Sequence, residues 1–116
     1  MMHRMNDDAR DFVPLKPDIF HILLALESGP RHGYGIIADV ERRTAAERSL
    51  LPSLLYRRLA RLTEEGIVQE VSVPDDQDPR RKHYELTRLG RAVLREEARR
   101  IVELGRSLAR YEWSES

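Results

Sequence analysis

Apolar residues recur at intervals of three and four positions in three successive stretches of the chain, at about 18–28, 32–44 and 51–65. This spacing places the apolar residues on one face of an α-helix, so it predicts a helix in each stretch. Ser28-Gly29-Pro30 is typical of a turn that ends the first helix, and Gly66 stands where a helix C-cap is expected. We therefore expect three short helices joined by short connections.

The period changes after Gly66, where the chain becomes rich in β-branched residues. Residues 67–73 alternate in their second half between apolar and polar positions, which predicts a strand. The segment PDDQDP at 74–79 has the composition of a turn-rich loop, and residues 81–86 can return as a second strand. The pattern predicts a β-hairpin with a long, charged tip.

A long helix is predicted at 88–111, with Thr87 as its N-cap. Three helices followed by a hairpin are the plan of a winged helix-turn-helix. The predicted fold is therefore mainly α with a small β-hairpin: a winged helix-turn-helix domain at 14–87, then a C-terminal dimerisation helix and tail at 88–116. Residues 1–13 show no sustained period and are predicted to form a mobile tail.

The last helix offers more apolar surface than the domain core needs. Its stripe continues well past Val93, and an unpaired stripe of this kind is usually avoided in soluble proteins. Five positions separated by four, three, four and three residues have the seam spacing of a coiled coil, namely Leu94, Ala98, Ile101, Gly105 and Leu108. We therefore predict a homodimer built on this seam and Val102, assisted by Ile19 and Leu23 of the first helix.

The third helix has a polar face opposite its leucine residues. In helix-turn-helix proteins the second helix of the motif enters the major groove, and here that helix is 51–65. Four residues of its polar face are the predicted DNA contacts, namely Ser53, Tyr56, Arg57 and Arg61. The alternative interpretation is a solvated face whose arginines pair with Glu64 and Glu65.

Arg80, Arg81 and Lys82 form the densest cationic run and lie on the flank of the predicted hairpin. Such a run can contact a phosphate backbone. The alternative is a solubilising patch that the nearby acids neutralise, namely Asp75, Asp76 and Asp78. Because those acids make the hairpin tip a poor phosphate binder, we expect DNA contact from the returning strand.

The overall charge does not indicate a nucleic-acid partner, since 20 Lys and Arg residues balance 20 Asp and Glu residues. The charge is uneven, however: residues 80–100 hold eight basic residues and three acidic ones, a local net charge of +5. Two functions stay open at this stage, a regulator that binds double-stranded DNA and a winged-helix module that binds only proteins. Salt-sensitive retention on a heparin column separates them.

Enzymatic chemistry and bound cofactors are not indicated. The chain has no cysteine and no Gly-rich phosphate loop, and its four histidines lack the spacing of a metal site, so we expect a non-enzyme without cofactor. Neither a signal peptide nor a membrane-spanning segment is predicted, which favours the cytoplasm. Tyr34 and Tyr84 are interpreted as core or hydrogen-bonded scaffold. For Trp113, a site for a flat ligand and an anchor for the partner subunit both stay open.

Three segments resemble the PadR-like transcriptional regulators, namely LALESGPRHGYGI at 24–36, LLPSLLYRRLARLTEEGIV at 50–68 and RRKHYELTRLGRAVL at 80–94. With their spacing they cover most of residues 17–95. The sequence departs from the family pattern at Leu51 and Gly35, outside the expected DNA face. The resemblance implies DNA binding as a dimer on a palindromic operator, usually repression, and sometimes release by a small-molecule effector.

Overall fold

The computed structural model describes residues 8–47, 49–74, 78 and 80–115. They form four α-helices and a small antiparallel sheet. The helices are α1 (Pro17–Ala25), α2 (Gly33–Arg43), α3 (Pro52–Glu64) and α4 (Arg88–Ala109), and the strands are β1 (Arg31–His32), β2 (Val68–Val71) and β3 (His83–Leu86). This architecture confirms the predicted fold class, a winged helix-turn-helix with an additional C-terminal helix.

The sheet has the strand order β1-β3-β2, and both pairings are antiparallel. β2 and β3 form the predicted hairpin, which we call the wing (residues 68–86), with Val68 opposite Leu86 and Val71 opposite His83. β1 was not predicted, because two residues are too few to show an alternating pattern. It joins the connection between α1 and α2 to the wing.

The helix ends follow the local chemistry of the sequence. Pro52 occupies the first turn of α3, where its missing N–H group leaves no hydrogen bond unmade. Gly66 follows α3 with a φ of +79°, a conformation that glycine adopts without steric strain. The Oγ1 atom of Thr87 accepts a hydrogen bond from the backbone N–H of Gly90 at 3.0 Å and caps α4.

A single hydrophobic core joins the helices to the sheet, and Tyr84 belongs to it, as expected. Leu23 of α1 is completely buried in this core, so it has no surface left for a partner, and its prediction as an interface residue was wrong. Leu94 of α4 is only 6% exposed, so most of its side chain serves the core as well. Both follow from the packing of α1 against α4 within one chain.

The N-terminal segment is more ordered than the sequence indicated. Residues 1–7 of the predicted mobile tail lie outside the described residues, but Ala9–Phe12 form a 3-10 helix that packs against α4. Ala9, Phe12 and Val13 are half-buried against the core. Three residues spaced over one short turn are too few to give a periodic signal, which is why this contact was missed.

Glu97 of α4 holds the N-terminal segment against α4 through a hydrogen bond to Leu15. The residue is 1% exposed, and its carboxylate accepts hydrogen bonds from the backbone N–H of Leu15 at 2.9 Å and from Nε of Arg100 at 2.7 Å. The hydrogen bonds from Arg100 lower the pKa of Glu97 below its ordinary value, although burial opposes the shift.

We predict that Glu97→Gln lowers the free energy of unfolding by about 1–3 kcal/mol at pH 7, the size of a hydrogen bond to a charged group. Because the pKa of Glu97 is lower in the folded state, its stabilisation is present above pH 4.5, the ordinary value for a glutamate, and is lost as the pH falls through the folded-state pKa. Urea unfolding at pH 7 and at successively lower pH measures this difference. Glu96→Gln is the matched control, since Glu96 forms an exposed pair with Arg99. An equal effect of Glu97→Gln at every pH would contradict this prediction.

Candidate nucleic-acid interface

α3 buries one face and exposes the other. Leu55, Leu59 and Leu62 are buried in the core, and the four predicted contact residues on the opposite face are all exposed, namely Ser53, Tyr56, Arg57 and Arg61. This division follows from the helical period, because residues three and four apart share a face. α3 therefore presents a polar surface that is available for a partner.

The arginines of α3 have different surroundings. Arg58 is tied to α1 by an ion pair of its Nε with Asp18 at 2.9 Å, so it connects two helices of the fold. Arg61 pairs with Glu65 at 3.1 Å, as the alternative interpretation expected. Arg57 forms no ion pair or hydrogen bond through its guanidinium with any described residue. Its donors are therefore the most available of the three.

The wing carries the three predicted cations, Arg80, Arg81 and Lys82, and all are exposed. The Nε of Arg80 lies 3.3 Å from Asp78, and the Nζ of Lys82 lies 3.8 Å from Glu70. Exposed pairs of this kind contribute little, so a phosphate can replace the carboxylates. Asp75 and Asp76, expected at the wing tip, lie outside the described residues.

A cleft of about 530 Å³ separates the wing from the helices and brings part of the predicted site together. Its lining joins Tyr56 of α3 to the three wing cations and to the start of α2, namely His32, Gly33, Tyr34, Tyr56, Asp78, Arg80, Arg81 and Lys82. Ser53 and Arg57 lie along α3 outside this lining. Arg61 lines a separate depression with Phe12, Glu64 and Glu65. The candidate site is thus a surface that runs along α3 and turns into the cleft.

Tyr34 was missed as a member of this surface, because the sequence pattern assigned it to the core. It is 70% exposed, and the buried face of α2 consists instead of Gly33, Ile36, Asp39 and Val40. Tyr34, Ile37 and Val40 are three positions apart in the sequence, which is helical spacing, but of these three only Val40 is buried. An aromatic side chain at the mouth of a cationic cleft suits contact with a sugar-phosphate backbone.

Gly33 explains how Tyr56 reaches the cleft. A Cβ atom at this position would lie 2.1 Å from the hydroxyl oxygen of Tyr56, so only glycine lets the phenol lie across the start of α2. The contact of Gly33 with Tyr56 was not predicted. The signal in the sequence is the pair Gly33 and Gly35 at the start of α2, since such glycines often allow a close approach.

His32 links the start of α2 to the wing. Its Nδ1 accepts a hydrogen bond from the backbone N–H of Gly35 at 3.1 Å and caps α2. Its Nε2 lies 3.2 Å from a guanidinium nitrogen of Arg81, and its ring meets that of His83 edge-on at 5.4 Å. Among the residues with described positions, no group of three or more His, Cys, Asp or Glu side chains is arranged to hold a metal ion.

Tyr84 lies on β3 of the wing and is 6% exposed. Burial raises the pKa of its hydroxyl, and the nearby Glu70 and Tyr56 raise it further. The hydroxyl therefore stays protonated near neutral pH and adds no negative charge beneath the cationic wing. The electrostatics of the cleft are set by the arginines, the lysine and their few acidic neighbours.

α4 carries a second exposed surface, which holds the remaining predicted interface residues. Ile101, Val102 and Leu108 are between 39% and 49% exposed, and no atom from another described part of the chain lies within 4 Å of a Cβ placed on Gly105. Ala98 and Ile19 are half-buried. Leu104 is 52% exposed and extends this apolar surface. Within the described part of the chain, no helix is long and apolar enough to cross a membrane.

Comparison with known proteins shows the family of the chain. The sequence model of the transcriptional regulator PadR-like family matches residues 22–96. An uncharacterized 37.1 kDa protein of a transposon from Streptomyces fradiae is 36% identical over 83 residues, which are 72% of this chain and 22% of that protein. The chain therefore spans about a fifth of the length of this curated relative.

Solved structures share the fold. A PadR-like transcription factor from Bacteroides fragilis is 28% identical and superposes with a TM-score of 0.63 over 78% of this chain and 84% of its own. PadR of Bacillus subtilis, solved in complex with operator DNA, is 23% identical, with a TM-score of 0.61 over 89% of this chain and 52% of its own. Since the family model covers well over half of the 116 residues, the protein belongs to the PadR-like family of transcriptional regulators.

Proposed function

We propose that the protein binds double-stranded DNA sequence-specifically, as a homodimer on a palindromic operator, and represses transcription from it. The observation that carries the proposal is the exposed polar face of α3 next to the cationic cleft of the wing, with an Arg57 guanidinium that pairs with no described residue. The operator complex of Bacillus subtilis PadR, a protein of the same fold, supports the choice of ligand.

The dimensions of α3 suit the major groove. A helix with its side chains is about 10–12 Å across and the major groove of B-DNA is about 12 Å wide, so a helix fits with its exposed face on the base edges. Arg57 then reaches a guanine, which presents two acceptors to a guanidinium. Ser53, nearer the start of α3, is placed for a base edge or a phosphate.

The wing supplies affinity that is independent of base sequence. Arg80, Arg81 and Lys82 lie across the cleft from Tyr56, so a sugar-phosphate backbone that enters the cleft meets cations on one side and aromatic hydroxyls on the other. Each neutralised phosphate releases condensed counterions. Binding is therefore expected to weaken steeply as salt rises.

We predict that replacing Arg80, Arg81 and Lys82 together with alanine lowers the slope of log affinity against log salt by about 2–3 units on a random-sequence duplex, close to one unit for each lost phosphate contact. Fluorescence anisotropy over a range of salt concentrations measures the slope. A triple alanine variant of Arg99, Arg106 and Arg110 removes the same charge from α4 and is expected to keep the slope. Equal slopes for the two triple variants would argue against the wing as a phosphate contact.

The exposed stripe of α4 supports the homodimer. A single chain leaves Ile101, Val102, Leu104 and Leu108 partly in water, and pairing with a second copy buries them. A two-fold axis then presents two copies of α3 to half-sites about one turn of DNA apart. A dimer bound in this way covers its operator and excludes other proteins from it, which is the physical basis of repression.

A winged-helix module that binds only proteins is the second candidate function. The balance of 20 basic and 20 acidic residues favours it, because strong DNA binders often carry an excess of positive charge. Retention on a heparin column that declines as salt rises supports the DNA-binding function. Passage through the column at low salt would support the protein-binding module instead.

A further inference from the structure

A small pocket lies between α1 and α4, away from the DNA-binding surface. Its volume is about 220 Å³, and its lining combines three apolar side chains with three charged ones, namely Leu24, Leu94 and Ala98 with Glu27, Arg91 and Arg95. Arg91 donates a hydrogen bond to the backbone carbonyl of Glu27 at 3.2 Å. Arg95 is exposed and pairs with no described residue. The pocket therefore suits an apolar group that is flanked by negative charge.

The segment after α4 has this chemistry. Tyr111 and Trp113 are 58% and 68% exposed, and their rings meet at 4.7 Å in an edge-to-face contact. Glu112 and Glu115 flank the tryptophan. Aromatic side chains of this size bury about 150–250 Å² each when they find a partner, so their exposure in a single chain leaves substantial stabilisation unused.

This segment lies apart from the pocket of its own chain. α4 extends from Ala98 to Ala109, a distance of roughly 17 Å at 1.5 Å per residue. Trp113 is four residues beyond Ala109, so a chain that reversed direction there would return by at most about 14 Å. The described lining of the pocket runs from Ala98 back to Arg91 and includes neither Tyr111 nor Trp113, so the same segment of a second copy is considered as its occupant.

An antiparallel pair of α4 helices would bring the C-terminal segment of one copy to the pocket of the other. The exposed stripe runs from Ile101 to Leu108, and two antiparallel helices that bury it cross near its middle. A helical residue of one copy that lies a given number of positions after this centre is then next to the residue of the other copy that lies the same number of positions before it. A non-helical chain advances up to about 3.4 Å per residue. Trp113 of one copy therefore falls between the levels of Arg91 and Glu96 of the other, along the pocket.

We propose that the segment from Tyr111 to Glu115 of one subunit docks in the α1–α4 pocket of a second copy. Trp113 then packs against Leu24, Leu94 and Ala98, and Glu112 lies beside Arg95. This inference rests on the proposed homodimer and specifies antiparallel α4 helices. The dimer is then closed at two symmetric sites in addition to the central stripe, and each site joins the C-terminal segment of one subunit to α1 of the other.

Disulfide cross-linking tests the contact, because the chain has no cysteine of its own. The double variant Arg95→Cys/Glu112→Cys is expected to form a covalent dimer under mild oxidation, since a disulfide requires Cα atoms within about 7 Å. A disulfide within one chain is prevented by roughly 20 Å of helix between the two positions. The matched control Arg88→Cys/Glu112→Cys places the first thiol two turns earlier on the same side of α4, outside the pocket lining, and is expected to cross-link at least about fivefold more slowly.

The single variant Glu112→Cys separates the two helix directions. Little cross-linking is expected from it, because antiparallel helices hold the two copies of Glu112 far apart. Efficient cross-linking of this single variant indicates parallel helices and overturns the inference, as does an equal yield from Arg95→Cys/Glu112→Cys and its control.

Trp113 is the only tryptophan, so its fluorescence reports the same contact without any substitution. The emission of the wild type is expected to shift to longer wavelength, and to become more accessible to acrylamide, when the protein is diluted below its dimer dissociation constant. Trp113→Ala is expected to raise that constant on the order of tenfold. Sedimentation of the wild type separates the two failures: a monomer at all concentrations overturns the homodimer itself, whereas a dimer with a fully accessible Trp113 overturns only the docking contact.

Discussion

Replacing Arg57 with alanine is expected to weaken operator binding by about 5- to 150-fold, or about 1–3 kcal/mol, the discrimination that one bidentate contact to a base supplies. The guanidinium is exposed on α3 and has no partner among the described residues, so its loss leaves the fold unchanged. Arg61→Ala is expected to have a smaller effect, since Arg61 already pairs with Glu65. Fluorescence anisotropy at fixed salt, on a duplex recovered from random DNA, measures both.

Arg106→Ala is the matched control for Arg57→Ala. Arg106 is also exposed, and it lies on α4, far along the chain from the candidate interface. Its replacement removes the same charge and is expected to leave operator affinity within about twofold. The assignment of α3 to the major groove is contradicted if Arg57→Ala and Arg61→Ala together bind the operator as tightly as the wild type does.

Ile101→Asp is expected to convert the dimer into a monomer at micromolar concentration. Ile101 lies in the exposed stripe of α4, where a carboxylate would be desolvated without a partner. Central interface residues contribute on the order of 2–4 kcal/mol, which raises the dissociation constant by about 30- to 1000-fold. Because one subunit presents only one copy of α3, the loss of the dimer is expected to lower operator affinity as well.

Ser107→Asp is the control for Ile101→Asp. It adds the same charge to α4, but the 100° step per residue places Ser107 away from the stripe. Sedimentation velocity compares both variants with the wild type. A wild type that sediments as a 13.5 kDa monomer at micromolar concentration contradicts the interface on α4, and so does an Ile101→Asp variant that stays dimeric.

Local patterns predicted most of the fold, because helices and hairpins depend on short-range periodicity and end signals. The four α-helices and the β2–β3 hairpin were predicted within a few residues of their observed ends. β1 and the contact of Glu97 with Leu15 were not, since each depends on residues far apart in sequence. The position of Leu23 was also not predicted, because α1 is apolar on two sides and its sequence does not show which side faces the core of its own chain.

Part of the candidate site was predicted from the sequence and part of it was not. The polar face of α3 and the cations of the wing could be identified by helical spacing and charge density alone. The cleft that joins Tyr56 to the wing could not, because it depends on the packing of α2 beside α3 and on the small size of Gly33. Tyr34 was assigned to the wrong face because α2 buries Asp39, a charged residue that an apolar pattern does not include.

The surroundings of Asp39 explain why the buried face of α2 was predicted incorrectly. It is 5% exposed, and its carboxylate is paired with Arg42, with Arg43 at 2.7 Å and with Arg31 at 3.5 Å. Buried carboxylates are rare unless they are paired in this way. A sequence pattern that assigns every charged residue to the surface therefore places the face of α2 incorrectly.

Selection of bound fragments from random double-stranded DNA tests the central claim most directly, since it examines sequence specificity and dimer symmetry together. We expect the selected fragments to share a palindromic sequence with half-sites centred about 10 base pairs apart, or a multiple of that spacing. The Arg57→Ala variant is expected to lose preference at one position in each half-site. A pool in which no sequence is enriched at moderate salt would contradict the assignment of this protein as a sequence-specific DNA-binding regulator.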